Sequence, residues 1–202
     1  MRADRANKLV NLPANPVHGG TMKELSMHIL DITMNSIKAD ASLVEIKIED
    51  SKKNNSLTIA ISDNGNGMSE EVINKVTNPF YTSRTTRKVG LGIPMLKEAC
   101  ERCSGYLKIE SKVGLGTTVF CSFERDNIDR APLGNMGETI MTIINSADNL
   151  ELLYIHKTDY GGFTFDTREV KEMLDGMDIN DINILLWIKE YINENVNVIL
   201  NR

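Results

Sequence analysis

The residues with the clearest chemical potential stand at positions 62–68, where an aspartate is followed by two alternate glycines. Apolar residues alternate with small or polar ones over residues 57–62, which predicts a half-buried strand that delivers Asp63 into a turn. Gly65 and Gly67 lack a Cβ and let another group approach the backbone closely. A buried carboxylate needs a donor, and the amino group of a ligand would supply one. A simple loop turn explains the same residues.

A second candidate lies in residues 82–94, where hydroxyl and basic side chains lead into Gly90 and Gly92 and then a predicted helix. The first N–H groups of a helix are unpaired and attract anions, and the glycines allow close approach. Phosphate is the ligand that this pattern favours. A basic surface loop before an ordinary helix would explain it equally well.

The helix predicted over residues 22–41 is apolar or small on most sides, so we expect it to be covered on most sides. Its polar residues fall in one strip about 80° wide at roughly 100° per residue. This strip faces either water or a polar pocket. The strip consists of Glu24, His28, Asp31, Asn35, Lys38 and Ser42.

Three cysteines and isolated histidines invite a metal or redox hypothesis, which the spacing does not favour. Cys100 and Cys103 are three apart on an apolar helix face, so buried core positions explain them better. They have no second pair, and Cys121 alone does not complete a structural zinc site. His156 is interpreted as a strand residue without companion ligands.

Composition narrows the class of protein. The chain has 202 residues, 41% hydrophobic and 25% charged, as in an ordinary globular protein. A formal charge of −5 disfavours nucleic acid as a partner. No apolar run approaches the roughly 18 residues of a membrane span, so no membrane partner is expected. An odd cysteine count and a polar N-terminus favour a cytoplasmic protein.

The predicted order of elements through residue 124 is helix, strand, strand, helix, loop, helix, strand, strand. This order indicates an α+β fold with helices on one face of a mixed or antiparallel sheet. Residues 1–21 are interpreted as a leader arm and residues 125–137, which are polar with Pro and Gly, as a linker. Residues 138–202 are expected to form a small C-terminal α/β module.

The C-terminal module has its own pattern. A short helix is predicted at 138–147, strands at 150–157 and 163–166, a helix capped by Thr167, and a last amphipathic helix capped by Asp181. The apolar face of the last helix either packs within the chain or contacts a partner protein.

Five motifs in residues 22–124 together carry a family resemblance. The region resembles the ATP-binding domain shared by DNA gyrase, ninety-kilodalton heat-shock chaperones, sensor histidine kinases, anti-sigma-factor serine kinases and mismatch-repair proteins. The resemblance implies a two-layer α/β sandwich of the Bergerat type, and the kinase and anti-sigma-factor branch is the most similar. The motifs are residues 30–41, 63–68, 78–83, 90–93 and 114–118.

The resemblance implies roles for the residues of the first two motifs. Asp63 would accept a hydrogen bond from the adenine amino group, while Gly65 and Gly67 let the backbone pass close to the base. Asn35 would hold Mg²⁺ through its amide oxygen, a hard ligand that suits this ion. Lys38, one helical turn along, would reach phosphate.

The later motifs complete the site that the resemblance implies for Mg-ATP. Phe80 belongs to the phenylalanine motif of the kinase branch. Gly90, Leu91 and Gly92 would cradle phosphates at a helix start, with residues 82–89 as the lid. Thr117 would line the base pocket beside Asp63.

The chemistry that follows binding depends on Asp31. The gyrase-like and chaperone branches have a glutamate at this position, which orients or deprotonates the attacking water; sensor kinases commonly have asparagine. Aspartate falls between these patterns and is one methylene shorter than glutamate. We therefore expect a regulatory ATPase or ATP-dependent switch. The alternatives are a trans-acting protein kinase of the anti-sigma-factor type, since His28 does not lie in a phosphoacceptor motif, or a binding module that only responds to nucleotide.

Overall fold

The computed structural model describes residues 23–77 and 92–201, which form six helices and six strands. The helices are α1 (Leu25–Lys38), α2 (Glu70–Val76), α3 (Gly92–Arg102), α4 (Met136–Ile144), α5 (Thr167–Met173) and α6 (Ile182–Leu200). The strands are β1 (Leu43–Ser51), β2 (Ser56–Asp63), β3 (Tyr106–Lys112), β4 (Gly116–Glu124), β5 (Glu151–Thr158) and β6 (Gly161–Asp166). The predicted leader arm lies outside the described residues.

All six strands belong to one mixed sheet with the order β3-β4-β2-β1-β5-β6. Strand β1 pairs with β5 in parallel, and every other neighbouring pair is antiparallel. The register places Asp63 at the end of β2 directly opposite Thr117 at the start of β4. Two residues that are far apart in the sequence therefore meet at one edge of the fold.

The core lies between one face of the sheet and the helices. Alternate residues of β1 and β2 are buried while their neighbours are partly exposed, as period-two patterns predict. Apolar side chains of α1, such as Ile29 and Ile32, join the same core. Helix α4 packs between α1 and α6. The α+β class with helices on one sheet face is confirmed.

Residues 138–202 continue this sheet instead of folding beside it, because β5 and β6 extend it from β1. The preceding segment also contacts the first helix: the N–H groups of Leu25 and Ser26 donate to the carbonyls of Pro132 and Leu133, at 2.9 and 2.8 Å. These bonds satisfy two of the N–H groups that a helix start leaves unpaired. The domain boundaries stay predictions.

The helix caps test the local predictions. Asp181 caps α6 as predicted, through a side chain that accepts a backbone N–H bond, and Ser69 caps α2 in the same way. Thr167 was expected to cap α5, which is wrong: Asp166 is the cap, and it accepts from Arg168 N–H. The Thr167 hydroxyl instead accepts from Leu152 N–H at 2.8 Å and fastens α5 to β5.

The cysteines behave as core residues. Cys100, Cys103 and Cys121 are all free and buried. Within residues 23–77 and 92–201, no group of three or more His, Cys, Asp or Glu side chains is placed to hold a metal ion. No helix in these two ranges has the length and apolar character needed to cross a membrane.

Candidate functional site

A cavity of about 210 Å³ opens between the C-terminal half of α1, the end of β2 and the start of β4. Its polar lining includes Asn35, Lys38, Asp63 and Thr117, together with the backbone of Gly67. The sequence-predicted residues of the first helix and of the glycine turn therefore meet in one place. The apolar part of the lining consists of Ile32, Met68, Val76, Ile93 and Val119.

Three donors from the described residues hold the Asp63 carboxylate. Its Oδ1 accepts from the backbone N–H groups of Gly65, at 2.9 Å, and Thr117, at 3.2 Å. Its Oδ2 accepts from the Ser36 hydroxyl at 2.7 Å. An ionised carboxylate has about four lone-pair sites, so this set leaves acceptor capacity on Oδ2 for a ligand. The arrangement suits an amino group that enters from the cavity.

Two glycines of the turn stand where a side chain does not fit. A Cβ at Gly65 would lie 2.6 Å from the carbonyl oxygen of Ala39, at the end of α1. Gly67 has φ of +64°, and a Cβ there would lie 2.1 Å from the carbonyl oxygen of Lys112. The turn is therefore packed between α1 and the β3–β4 hairpin, and the glycines make both approaches possible.

The asparagines of the same turn are structural, a role that the sequence analysis missed. Asn64 Oδ1 accepts from the N–H groups of Ser42 and Leu43, both at 2.9 Å, and fixes the start of β1. Asn66 donates through Nδ2 to Asp40 at 2.9 Å, just after α1 ends. The only sequence signal for these roles is the tendency of asparagine side chains to hydrogen-bond to nearby backbone groups, and this tendency does not identify distant partners.

The polar strip of α1 divides between two environments. Asn35 and Lys38 line the cavity, whereas His28 is 3% exposed and faces α3 through a separate cavity. Burial lowers the pKa of His28, and the nearby Asp31 carboxylate opposes part of that shift. In the second half of α1 the strip therefore borders the 210 Å³ cavity, whose lining is both polar and apolar.

Asp31 packs against the first residue of α3. A Cβ at Gly92 would lie 1.6 Å from Asp31 Oδ2, so only a glycine allows the carboxylate to sit there. Oδ2 is buried, and no residue of the described ranges hydrogen-bonds to it. Asp31 is not part of the lining of the 210 Å³ cavity. Its unused lone pairs lie beside the helix start that was predicted to receive phosphate.

A serine that the sequence analysis did not select connects the turn to the cavity. Ser111 Oγ lies 2.9 Å from Thr117 Oγ1 and 3.0 Å from the carbonyl oxygen of Gly116, and it accepts from Met68 N–H at 2.8 Å. A single serine in a strand carries no sequence signal. Phe80, Gly90 and Leu91, with the predicted lid at 82–89, lie outside the described residues.

Comparison with known proteins gives relatives that match about half of this chain. Sporulation kinase C of Bacillus subtilis (strain 168) is 31% identical over 98 residues, which are 48% of this chain and 23% of the relative. Sensor histidine kinase YvrG of the same organism is 28% identical over 95 residues, 45% of this chain and 16% of the relative. The matched region is therefore less than a quarter of either protein.

A solved structure is also similar. The ATPase domain of Aquifex aeolicus MutL, complexed with ADP, is 16% identical with a TM-score of 0.45; the match covers 76% of this chain and 70% of that one. Finally, the family model for histidine kinase-, DNA gyrase B- and HSP90-like ATPases matches residues 21–127, slightly more than half of the 202 residues. The chain belongs to this family of ATPases.

Proposed function

We propose that this protein binds Mg-ATP in the 210 Å³ cavity and uses it as a regulatory ATPase or nucleotide-dependent switch. The observation that carries the proposal is the Asp63 carboxylate, which lines the cavity with one oxygen saturated by two backbone donors. The other oxygen, Oδ2, accepts a hydrogen bond from the adenine amino group in addition to the bond from the Ser36 hydroxyl. Family membership supports ATP as the nucleotide.

The phosphate end of the proposed site lies along α1 and the start of α3. Asn35 lines the cavity, and its side chain carries an amide oxygen, a hard donor of the kind that Mg²⁺ prefers. One protein ligand suits this ion, which usually keeps waters and substrate phosphates in its shell. Mg²⁺ would neutralise phosphate charge during the reaction. Lys38, one turn along on the same wall, supplies a further positive charge.

Asp31 is the proposed base for hydrolysis. Its Oδ2 has no hydrogen-bond partner within the described ranges, so a lone pair is free to accept a proton from water. The water oxygen then bonds to the γ-phosphorus, the bond from that phosphorus to the bridging oxygen breaks, and ADP leaves with the bonding electrons. The contact between Asp31 and Gly92 supports this role, since it puts the carboxylate beside the proposed phosphate-binding helix start.

We further propose that the nucleotide state is read by a protein partner through residues 138–202. This whole segment lies beyond residues 21–127, the region that the family model matches. Its strands nevertheless belong to the same sheet as Asp63 and Thr117, with β5 hydrogen-bonded to β1. A sheet shared by both parts would allow a change at the nucleotide to reach the partner through hydrogen-bonded strands.

The test is phosphate release from Mg-ATP by wild type, Asp31→Asn and Asp63→Asn, with ATP binding measured in parallel. We expect turnover in wild type, loss of turnover with retained binding in Asp31→Asn, and loss of binding in Asp63→Asn. Undiminished turnover in Asp31→Asn would refute the assignment of the base. Wild-type protein that binds no ATP would refute the proposed function itself.

A second candidate function is phosphotransfer to another protein, which is favoured by the similarity to sporulation kinase C. In that case γ-labelled ATP gives label on a partner protein, with little free phosphate. Binding without turnover or transfer would leave a module in which ATP only controls partner association.

A further inference from the structure

Ser111 on β3 occupies the position where three parts of the proposed site meet. Its hydroxyl oxygen accepts from Met68 N–H, at the end of the glycine turn, at 2.8 Å. It also lies 3.0 Å from the carbonyl oxygen of Gly116 and 2.9 Å from the hydroxyl of Thr117. Thr117 lines the cavity, whereas Ser111 stands behind it.

The proton count of this cluster determines how Thr117 meets a ligand. A serine hydroxyl has one proton and two lone pairs, and the Met68 N–H group occupies one of these lone pairs. A carbonyl can only accept, so the bond to Gly116 requires the Ser111 proton. The remaining lone pair of Ser111 then accepts the proton of Thr117. In this arrangement every group is satisfied, and Thr117 offers only lone pairs to the cavity.

We propose that Ser111 is a positioning residue that turns the Thr117 proton away from the nucleotide base. This inference rests on the proposed binding of an adenine nucleotide. An acceptor atom on the base, such as the N1 atom of adenine, can draw the Thr117 proton only if Ser111 gives up its bond to Gly116 and donates to Thr117 instead.

Two opposing effects follow when Ser111 donates to Thr117: the bond to the Gly116 carbonyl is lost, and the Thr117 hydroxyl becomes a stronger donor. The switch loses one neutral hydrogen bond, about a five-fold factor in binding. A Thr117 hydroxyl that accepts from Ser111 also donates more strongly, but cooperative strengthening is only about 10–30% of a bond. The loss therefore dominates, and Ser111 reduces the contribution of N1 to affinity.

The experiment measures the dissociation constants of ATP and of 1-deaza-ATP, in which a C–H group replaces N1, for the full chain. In Ser111→Ala the Thr117 proton is free, so we expect the preference for ATP over 1-deaza-ATP to rise about five-fold above wild type. Ser111→Thr keeps the hydroxyl and should restore the wild-type ratio. In a Thr117→Val background, Ser111→Ala should leave the ratio unchanged.

Ser62→Ala is the matched control. The Ser62 and Thr118 hydroxyls form a similar cross-strand pair at 3.0 Å, one residue along β4, and neither residue lines the cavity. We expect this variant to keep the wild-type ratio. If the role of Ser111 is purely structural, Ser111→Ala lowers the affinities for ATP and 1-deaza-ATP by the same factor. An unchanged or lower preference for ATP over 1-deaza-ATP in Ser111→Ala therefore overturns the proposal. Wild type that binds neither nucleotide overturns the proposed function as well, which separates the two failures.

Discussion

The Asp63 side chain allows the proposed base recognition to be tested with a nearly isosteric change, Asp63→Asn. Two backbone N–H groups, of Gly65 and Thr117, point at Oδ1. The asparagine must place its amide oxygen there, because its NH₂ group would otherwise face two donors. The NH₂ group therefore replaces Oδ2, the oxygen that we assign to the adenine amino group.

In the variant, a donor on the protein would face a donor on the base. The complex loses a hydrogen bond to a charged group, about 1.5–3 kcal/mol, and leaves a donor unsatisfied at about 1–3 kcal/mol. Since these effects partly overlap, we expect a total near 3 to 4 kcal/mol. That corresponds to a rise in the ATP dissociation constant of roughly two to three orders of magnitude.

The fold should survive the same change. Ser36 Oγ, 2.7 Å from Oδ2, can accept from the new NH₂ group and direct its proton toward the carbonyl oxygen of Ile32, 3.5 Å away. We therefore expect the free energy of unfolding to fall by only about 1 kcal/mol. Urea denaturation measures this loss, and titration calorimetry measures the affinity for ATP.

Asp40→Asn is the matched control for charge. Asp40 is exposed, lies next to α1 and accepts from Asn66 at 2.9 Å, but it does not line the cavity. Its φ of 59° is tolerated by asparagine. We expect less than about a three-fold change in ATP affinity, an allowance for one exposed hydrogen bond. A loss below ten-fold in Asp63→Asn, or an equal loss in both variants, would refute the assigned contact.

Three further changes test the fold around the site. Gly67→Ala puts a Cβ 2.1 Å from the Lys112 carbonyl oxygen at φ of +64°, so urea denaturation should show a loss above about 2 kcal/mol; unchanged stability would contradict the close packing. Burial lowers the pKa of His156 to about 4 from 6.5, so the unfolded chain binds more protons between these values and stability falls as the pH drops through that interval. In His156→Gln the change in the free energy of unfolding across this pH interval should be smaller by up to about 3 kcal/mol, measured by denaturation at each pH. An equally steep pH dependence in the variant would contradict the lowered pKa of His156. Thr167→Val removes the acceptor of the Leu152 N–H group, so we expect thermal denaturation to show a stability lower by about 1–3 kcal/mol. Unchanged stability would contradict a stabilising role of this bond between α5 and β5.

Much of the local structure was predictable because burial imposes a period on the sequence. Val44, Ile46 and Ile48 alternate with polar residues, which is the period of a half-buried strand such as β1 and requires no knowledge of its partners. Ser69 and Asp181 were predictable as caps, since a side-chain acceptor beside an unpaired N–H group is a local interaction. The α5 cap was misassigned by one residue, because Asp166 and Thr167 are both good local acceptors.

The site was predictable where its residues belong to a motif and not where they are single hydrogen-bond partners. Asp63, Asn35 and Thr117 lie at motif positions, and they meet at the cavity. Ser36 lies within the 30–41 motif and Ser111 lies outside every motif, yet neither was selected, because a hydroxyl donor has no period or spacing that distinguishes it. Their roles depend on which atoms lie within 3 Å, a distance that only the folded chain defines.

The sequence by itself determined the alternating strands, the apolar helix and the acid at a strand end, because these depend on neighbours a few residues away. The tertiary structure alone decided that β5 lies parallel to β1 and that the 132–133 carbonyls cover the start of α1. It also decided that Asp31 faces Gly92. Each of these contacts joins residues about 60 or more positions apart, and their pairing depends on how the whole sheet and its helices exclude water.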